Sequence, residues 1–193
     1  MMMNETLDLN FEYQLLSEMP GRAFEEIVYV PNDGSGMGRD GVMIKFLPES
    51  GKRWIGVFAF GDMLPDGECR VYPGPGRSQL TILAKGDAYI VSPDNPASFV
   101  CVKSCPVIHA VPVPRQNLML FHDYTEIVAY SERGLAWETA RISWDGIKID
   151  EVSDTKIFGK GWDAPNEKHV EFSVDLANGS HIGGSSPPNY PTS

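Results

Sequence analysis

The side chains best suited to chemistry lie at positions 122 and 123, where a histidine precedes an aspartate. A histidine beside a carboxylate is typical of a general base or a metal ligand, because the unperturbed pKa of histidine is close to neutral. Two more carboxylates, Glu138 and Asp145, follow along the chain. One hypothesis is therefore a small hydrolase whose catalytic residues are His122, Asp123, Glu138 and Asp145.

Established catalytic and metal-binding motifs are missing from the sequence. It has no Gly-x-Ser-x-Gly nucleophile elbow and no His-Glu-x-x-His. Cys101 and Cys105 could form half of a metal site, but no second pair completes it. The other histidines stand at no ligand spacing from position 122: His109, His169 and His181. We therefore expect no metal and no cofactor.

A glycine-rich stretch, Gly36-x-Gly38-x-x-Gly41, matches the dinucleotide-binding fingerprint as a string. That fingerprint needs a helix after the glycines, because the pyrophosphate sits on the helix N-terminus. Here residues 42–47 are apolar and read as a strand. A kinase glycine loop lies between two strands, but the kinase His-Arg-Asp and Asp-Phe-Gly motifs are absent. We interpret the stretch as a wide hairpin loop.

Aromatic residues give a second candidate site, in the last third of the chain. An exposed tryptophan beside a carboxylate suits a sugar or peptide surface. Trp144 precedes Asp145, and Trp162 precedes Asp163, so both stand next to an acid. The same rings could instead fill the core, where tryptophan is usually found. The candidate binding residues are Tyr124, Trp137, Trp144 and Trp162.

The charge balance limits the class of partner. Lys plus Arg number 16 and Asp plus Glu number 26, which gives a formal net charge of −10. Such a surface repels phosphate, so we expect neither nucleic acid nor an anionic membrane as a partner. It would attract a basic protein, and a small polar ligand is a further option. Solubility alone would also explain this much acidity.

Cysteine usage and the N-terminus favour a cytoplasmic protein. The odd count of three cysteines shows no disulfide framework, so we expect reduced thiols. We expect Cys101 to be buried, because it lies in the apolar run 99–102. The first residues contain no basic segment followed by an apolar one, and no window reaches the roughly 18 apolar residues of a membrane span.

Period-two alternation of apolar residues predicts the fold. It is clearest at residues 170–176, and Asn178-Gly179 follows as a hairpin turn. Asp145-Gly146 separates residues 140–144 from 147–150 in the same way. We predict that residues 124–184 form one antiparallel meander within an all-β domain, either a sandwich or an open curved barrel. The expected domain is 1–184 with a flexible tail at 185–193, and one short helix could form near Leu15.

Two segments, 79–91 and 117–129, resemble each other at an offset of 38 residues. This interval is close to the length of a propeller blade, but 193 residues hold too few blades to close a ring. We favour two hairpins of one sheet. Prolines bracket residues 107–113 and remove ladder donors, which places that segment on a sheet edge. A homodimer could form through this edge.

A pattern in the last third resembles small uncharacterised bacterial all-β proteins. It runs Gly134-x-x-Trp137, then Trp144-Asp145-Gly146, and continues with glycines and apolar residues through residues 159–179. The resemblance implies a bacterial cytosolic source and carries no activity. The leading functional hypothesis is a non-catalytic binding module that neutralises a basic protein partner. The alternative is the hydrolase with His122 and Asp123 at its site.

Overall fold

The computed structural model describes residues 7–21, 25–32, 40–49 and 51–188. The expected glycine-rich hairpin loop at Gly36 and Gly38 lies outside these residues. The described chain is all-β, which confirms the predicted class. Sheet I contains four strands in the order β1-β3-β4-β2, and β2 pairs with β4 in parallel. Its strands are β1 (Glu12–Leu16), β2 (Glu26–Val30), β3 (Gly41–Leu47) and β4 (Trp54–Ala59).

The other three sheets are four-stranded antiparallel meanders in which neighbouring strands follow the chain. Sheet II contains β5 (Cys69–Pro73), β6 (Leu80–Ala84), β7 (Asp87–Val91) and β8 (Phe99–Cys101). Sheet III contains β9 (His109–Val113), β10 (Leu118–His122), β11 (Ile127–Ser131) and β12 (Gly134–Glu138). Sheet IV contains β13 (Ile147–Val152), β14 (Lys156–Asp163), β15 (Lys168–Asp175) and β16 (His181–Gly183). None of the four sheets closes into a barrel.

The 38-residue offset is a structural repeat, so its assignment to one sheet was wrong. The two similar hairpins are β6–β7 in sheet II and β10–β11 in sheet III. Strands β6, β10 and β14 begin at residues 80, 118 and 156, which are equal intervals of 38. Each repeat is therefore one four-stranded meander, the unit from which propeller blades are made.

The prediction of one meander over residues 124–184 was also wrong. Strands β11 and β12 complete sheet III, whereas β13 to β16 form sheet IV. Residues 140–144, which were expected to form a strand, are the connection between these sheets. Their apolar residues resemble a strand because Ile142 is buried beneath sheet IV, in the core that it shares with sheet III.

The core lies in three layers between successive sheets. One cluster joins sheets I and II around Phe46, Trp54 and Tyr89. A second joins sheets II and III around Leu83, Met119 and Phe121. A third joins sheets III and IV. It includes the predicted inward residues of the 170–176 alternation: Phe172, Val174 and Leu176.

Sheets II and III are buried on both faces, and their sequences explain why. Every residue of β6 (LTILA) and of β10 (LMLFH) is buried. A strand covered on both sides must be apolar at nearly every position, because neither face meets water. The consecutive apolar runs at β6 and β10 therefore build the central strands of the two inner sheets, and β4 of sheet I is buried at every position as well.

Helical structure in the described chain is confined to two short 3₁₀ turns, Pro114–Gln116 and Ala164–Asn166. Neither lies near Leu15, which is in strand β1, so the expected position of a short helix was wrong. Each turn instead precedes a central strand, β10 or β15. Among the described residues, no helix is long and apolar enough to span a bilayer.

Edge positions agree with the proline pattern. Strand β9 is at the edge of sheet III, and its Pro112 lies on that edge.

The start of the expected flexible tail makes defined contacts. The backbone N–H of Ser185 donates to the Ile142 carbonyl at 3.0 Å, and its hydroxyl is hydrogen-bonded as well. Residues 189–193 lie outside the described chain.

Candidate functional site

His122 is the last residue of β10, between His109 on β9 and Ile127 on β11. Its side chain is 5% exposed. Burial lowers the pKa of His122, and the nearby His109 acts in the same direction. The imidazole is therefore neutral at pH 7. Its Nδ1 lies 2.9 Å from the Asp123 carbonyl oxygen, which can only accept, so Nδ1 carries the proton.

Asp123 uses its carboxylate to form the β10–β11 turn. Its Oδ1 accepts from the backbone N–H of Thr125 at 2.6 Å and from that of Glu126 at 2.8 Å. The Thr125 hydroxyl donates to the same oxygen at 3.0 Å. This is a local side-chain-to-backbone turn motif, a common role for aspartate. His122 therefore contacts the backbone of Asp123, whereas the carboxylate oxygen Oδ1 is occupied within the turn.

Glu138, at the end of β12, forms an ion pair with Lys103. Lys103 comes from the connection between sheets II and III, and its backbone N–H donates to the Tyr130 hydroxyl at 3.0 Å. The pKa of Lys103 is raised chiefly by its hydrogen bond to Glu138. This pair joins the connection that precedes sheet III to the end of β12 in that sheet.

Glu126, which the sequence analysis did not select, lies between two of the predicted carboxylates. Burial raises its pKa, and the charges of Asp123 and Glu138 raise it further. Lys103 and Arg141 oppose this shift without cancelling it. The structure therefore gathers negative charge at this end of sheet III, and Glu126 is at its centre.

The connection from sheet III to sheet IV crosses the same end. The backbone N–H of Gly146 donates to the Tyr124 carbonyl at 2.7 Å, and that of Trp144 donates to the Trp162 carbonyl at 2.9 Å. Asp145, between them, is exposed. The connection therefore passes beside the β10–β11 turn through its backbone, but Asp145 is not among the charges that shift the pKa of Glu126. We call Asp123, Tyr124, Glu126 and Glu138 the acidic corner.

Two polar side chains fix the shape of this connection. The Ser143 hydroxyl donates to the Gly146 carbonyl at 2.7 Å and accepts from the Trp162 backbone N–H at 2.9 Å. The Arg141 guanidinium donates to the carbonyls of Ser143, at 3.0 Å, and Trp144, at 2.8 Å. The turn that carries Asp145 is therefore held by hydrogen bonds on both sides.

The four aromatic candidates do not form one surface. Trp137 is buried in the core between sheets III and IV, and its indole N–H donates to the Leu176 carbonyl at 2.8 Å. Trp144 is half-buried, and its indole N–H donates to the Ser185 hydroxyl at 3.1 Å. Tyr124 is 40% exposed. Trp162 lies on another surface, the outward side of sheet IV.

Asp163 is a buried carboxylate beneath this region. Its Oδ1 accepts from the Ser185 hydroxyl at 2.9 Å, and its Oδ2 accepts from the Asn166 amide at 2.7 Å. Ser185 in turn accepts from the Trp144 indole, so the network joins the connection to β14 and to the segment that follows β16. These hydrogen bonds give Asp163 a structural role in the fold.

The outward side of sheet IV carries exposed apolar and aromatic residues. Phe158 on β14 and Ile182 on β16 flank Ser173 on β15, in direct register. Phe158 and Ile182 are both exposed. Trp162 contacts the His169 ring edge-on, with 5.1 Å between centroids. The sequence analysis selected Trp162 but not Phe158, although both alternate with inward glycines along β14.

The cysteines are free, as expected. Cys101 is exposed on the edge strand β8, so its expected burial was wrong. Partial burial beside Asp87 nevertheless raises the pKa of its thiol. The sulfur of Cys105 lies 3.7 Å from that of Met63. In the described ranges, no three His, Cys, Asp or Glu side chains converge as a metal site would require.

The class that fold and site define is an all-β stack of four-stranded sheets with an acidic corner and an exposed outer face. Searches with family models, against curated proteins and against solved structures returned no match for the chain. The functional argument therefore depends on the geometry of this chain.

Proposed function

We propose that this protein is a non-catalytic binding module that takes a basic protein segment at the acidic corner. The observation that carries the proposal is the half-buried carboxyl group of Glu126. Its pKa is raised by burial and by two neighbouring carboxylates, while Lys103 and Arg141 compensate only in part. A lysine or arginine from a partner would complete this compensation, because an opposite charge favours the ionised carboxylate.

Tyr124 supports a basic partner through its ring. It is 40% exposed and belongs to the same β10–β11 turn as Asp123, so we expect a bound cation to contact its ring as well. A cation over a tyrosine ring gains about 0.5–1 kcal/mol at an exposed site. The overall charge of −10 would steer a basic partner toward the protein over longer distances.

The roles of the histidine and aspartate argue against the hydrolase alternative. The Asp123 carboxylate oxygen Oδ1 is held by the turn, and Nδ1 of His122 is held by a carbonyl oxygen. Glu138 is paired with Lys103. Each of these three groups therefore has a structural partner. A hydrolase would need at least one of them to act on a substrate, whereas a binding role needs only the negative charge of the carboxylates.

The free cysteines support a cytoplasmic location for this module. Cys69, Cys101 and Cys105 are all exposed and none is paired. Exposed thiols persist in a reducing compartment, whereas secreted domains usually pair them. Alkylation of intact cells, followed by counting of the thiols that were reduced, tests the location: three reduced thiols support it, and oxidised thiols contradict it.

The partner class can be tested with a defined probe. We expect an arginine- and lysine-rich peptide to bind the wild-type protein in isothermal titration calorimetry, and the affinity to fall as salt is raised from 50 to 300 mM. Glu126→Gln should weaken binding about threefold to tenfold, because one charge is removed from a partly buried site. Glu12→Gln, an exposed site on sheet I, is the matched control and should bind as the wild type does.

Two results would contradict the proposal. The first is a peptide affinity that does not respond to salt. The second is equal binding by the Glu126→Gln and Glu12→Gln variants, which would show that charge anywhere on the surface is sufficient. Circular dichroism of each variant checks that the fold is retained, so that a loss of binding is not a loss of structure.

A further inference from the structure

Within the described part of the chain, no sheet covers the outward face of sheet IV, whereas sheets II and III each lie between two others. Phe158, on the central strand β14, is 41% exposed, and Ile182, on the edge strand β16, is 74% exposed. An exposed apolar cluster on a sheet face commonly marks an interaction site. The outer face consists of the outward residues of all four strands: Lys148 and Glu151 on β13, Lys156, Phe158, Lys160 and Trp162 on β14, His169, Glu171, Ser173 and Asp175 on β15, and Ile182 on β16. The two central rows are those of β14 and β15.

The register of β14 and β15 arranges these residues in complementary pairs. Lys160 stands directly opposite Glu171, and Lys156 stands opposite Asp175. The large Phe158 is opposite the small Ser173, and the two rings of Trp162 and His169 are opposite each other. Thus each outward residue of β14 has a residue of opposite charge, of smaller size or with a ring directly opposite it in register on β15.

Consider a two-fold axis that lies above the outer face, midway between β14 and β15 and parallel to both strands. In face-to-face packing, rotation about this axis places the β14 row of one copy over the β15 row of the other. Lys160 would face the Glu171 of a second copy, and Phe158 would face its Ser173. Such a contact is isologous, because each residue pair occurs twice. Packed sheets cross at about 30°, so the match is best at the centre, near Phe158 and Lys160.

The charges on this face are free to make such contacts. Lys156, Lys160 and Glu171 take part in none of the ion pairs found among the described residues. The two lysines and the two carboxylates of the paired rows sum to zero, whereas the whole chain carries −10. These rows therefore add no net repulsion between two copies.

We propose that the outer face of sheet IV binds a second copy of this chain, as a two-fold dimer with Lys160 over the partner's Glu171. The dimer surface shares no residue with the acidic corner, and the expected edge strand β9 is not part of it. The proposal therefore does not depend on the proposed function. Charge complementarity in register is the observation that selects a second copy over other occupants.

Sedimentation velocity over a concentration series tests the proposal. We expect the wild-type protein to shift from monomer to dimer between about 1 μM and 1 mM, as for a small, partly polar interface. Lys160→Glu and Glu171→Lys should each weaken the dimer about tenfold or more, because symmetry turns two attractions into two repulsions. The double variant, Lys160→Glu with Glu171→Lys, should restore the wild-type affinity.

Controls separate an interface effect from a fold effect. Lys52→Glu makes the same charge change at an exposed residue before β4 and should leave the dimer unchanged. Phe158→Glu should abolish it, and thermal melting should show that each variant still folds. A wild-type protein that is monomeric at 1 mM overturns the proposal. So does a double variant that dimerises no better than the two single variants, since the register would then be wrong.

The two binding surfaces can be told apart in the same samples. Glu126→Gln should leave the sedimentation profile unchanged, and Lys160→Glu should leave binding of the basic peptide unchanged. A Glu126→Gln variant that loses the dimer would overturn the assignment of the dimer to sheet IV.

Discussion

Gly161→Ala is the sharpest test of how sheets III and IV are joined. Gly161 lies on the inward side of β14, directly under the connection between the sheets. A Cβ at this position would lie well inside 3.0 Å from the Ile142 carbonyl oxygen and 3.1 Å from the Ser143 Cβ. The carbonyl is backbone and cannot rotate away. It also accepts the Ser185 N–H at 3.0 Å, so moving it disturbs that bond.

The expected cost follows from these contacts. Inserting a methyl group into a packed interior costs about 1–3 kcal/mol. Weakening the hydrogen bond to Ile142 adds roughly 1 kcal/mol. Restricting the unfolded chain by replacing glycine returns about 0.4–1 kcal/mol. We therefore expect Gly161→Ala to destabilise the protein by about 1–3.5 kcal/mol, which lowers the Tm by roughly 2–14 °C for a chain of this length.

Urea unfolding followed by tryptophan fluorescence measures this change, with Gly21→Ala as the control. Gly21 has nothing within 4 Å of an added Cβ and no positive φ, so its replacement should be neutral or slightly stabilising. The reasoning is refuted if Gly161→Ala unfolds at the same urea concentration as Gly21→Ala. That result would mean that the connection moves away from β14 without cost.

Three further predictions concern single groups. Trp137→Phe should cost about 1–3 kcal/mol in urea unfolding, because the Leu176 carbonyl loses its donor; an unchanged midpoint would contradict this. The pKa of His122 is lowered in the folded protein, so the unfolded state binds the proton first. The free energy of unfolding should then fall as pH drops below about 6.5, with a smaller slope in His122→Gln; equal slopes would contradict the burial argument. The pKa of Glu126 is raised, so its ionisation destabilises the fold as pH rises above about 4.5. The Tm advantage of Glu126→Gln over the wild type should therefore grow between pH 4 and pH 7, and a constant difference would count against it.

Alternation in the sequence was enough to predict the strand class and the buried face. Phe172 and Val174 are 3% and 0% exposed, as the spacing of residues 170–176 predicts. Alternation does not say which sheet a strand joins. Residues 124–184 therefore read as one meander, although the chain leaves sheet III after Glu138. The connection that follows buries Ile142, so its apolar pattern is the same as that of a short strand.

Two glycines in β14 indicate a close backbone approach that the sequence analysis did not recognise. The sequence analysis grouped Gly159 and Gly161 with other glycines of the resemblance, without a structural role. Both lie inside a strand, where a Cβ would clash with the carbonyls of Lys148 and Ile142 respectively. Glycine within a strand often marks a close approach of another backbone segment. Their spacing of two residues places both on the same face and predicts that something crosses there.

The candidate site was harder to predict, because adjacency in sequence does not give direction. His122 and Asp123 are neighbours, yet the imidazole is buried and the carboxylate turns back to its own loop. Glu126 was missed because its pKa depends on groups from three separate segments. One of them is Lys103, which comes from the connection that precedes sheet III. Only the stacking of sheets II and III brings Lys103 and Glu138 together.

The sequences of the strands nevertheless indicate which sheet ends the stack at the C-terminal side. Strand β10 is apolar at nearly every position because both faces of sheet III are covered. In the equivalent position of the last repeat, β14 alternates between buried and exposed residues. Its inward positions include two glycines, and its outward positions read Lys156, Phe158, Lys160 and Trp162. On the solvent-facing row, lysines stand in register with carboxylates of β15 around the exposed Phe158. That alternation shows where the stack ends, because only a strand with one face in solvent tolerates charge at every second position.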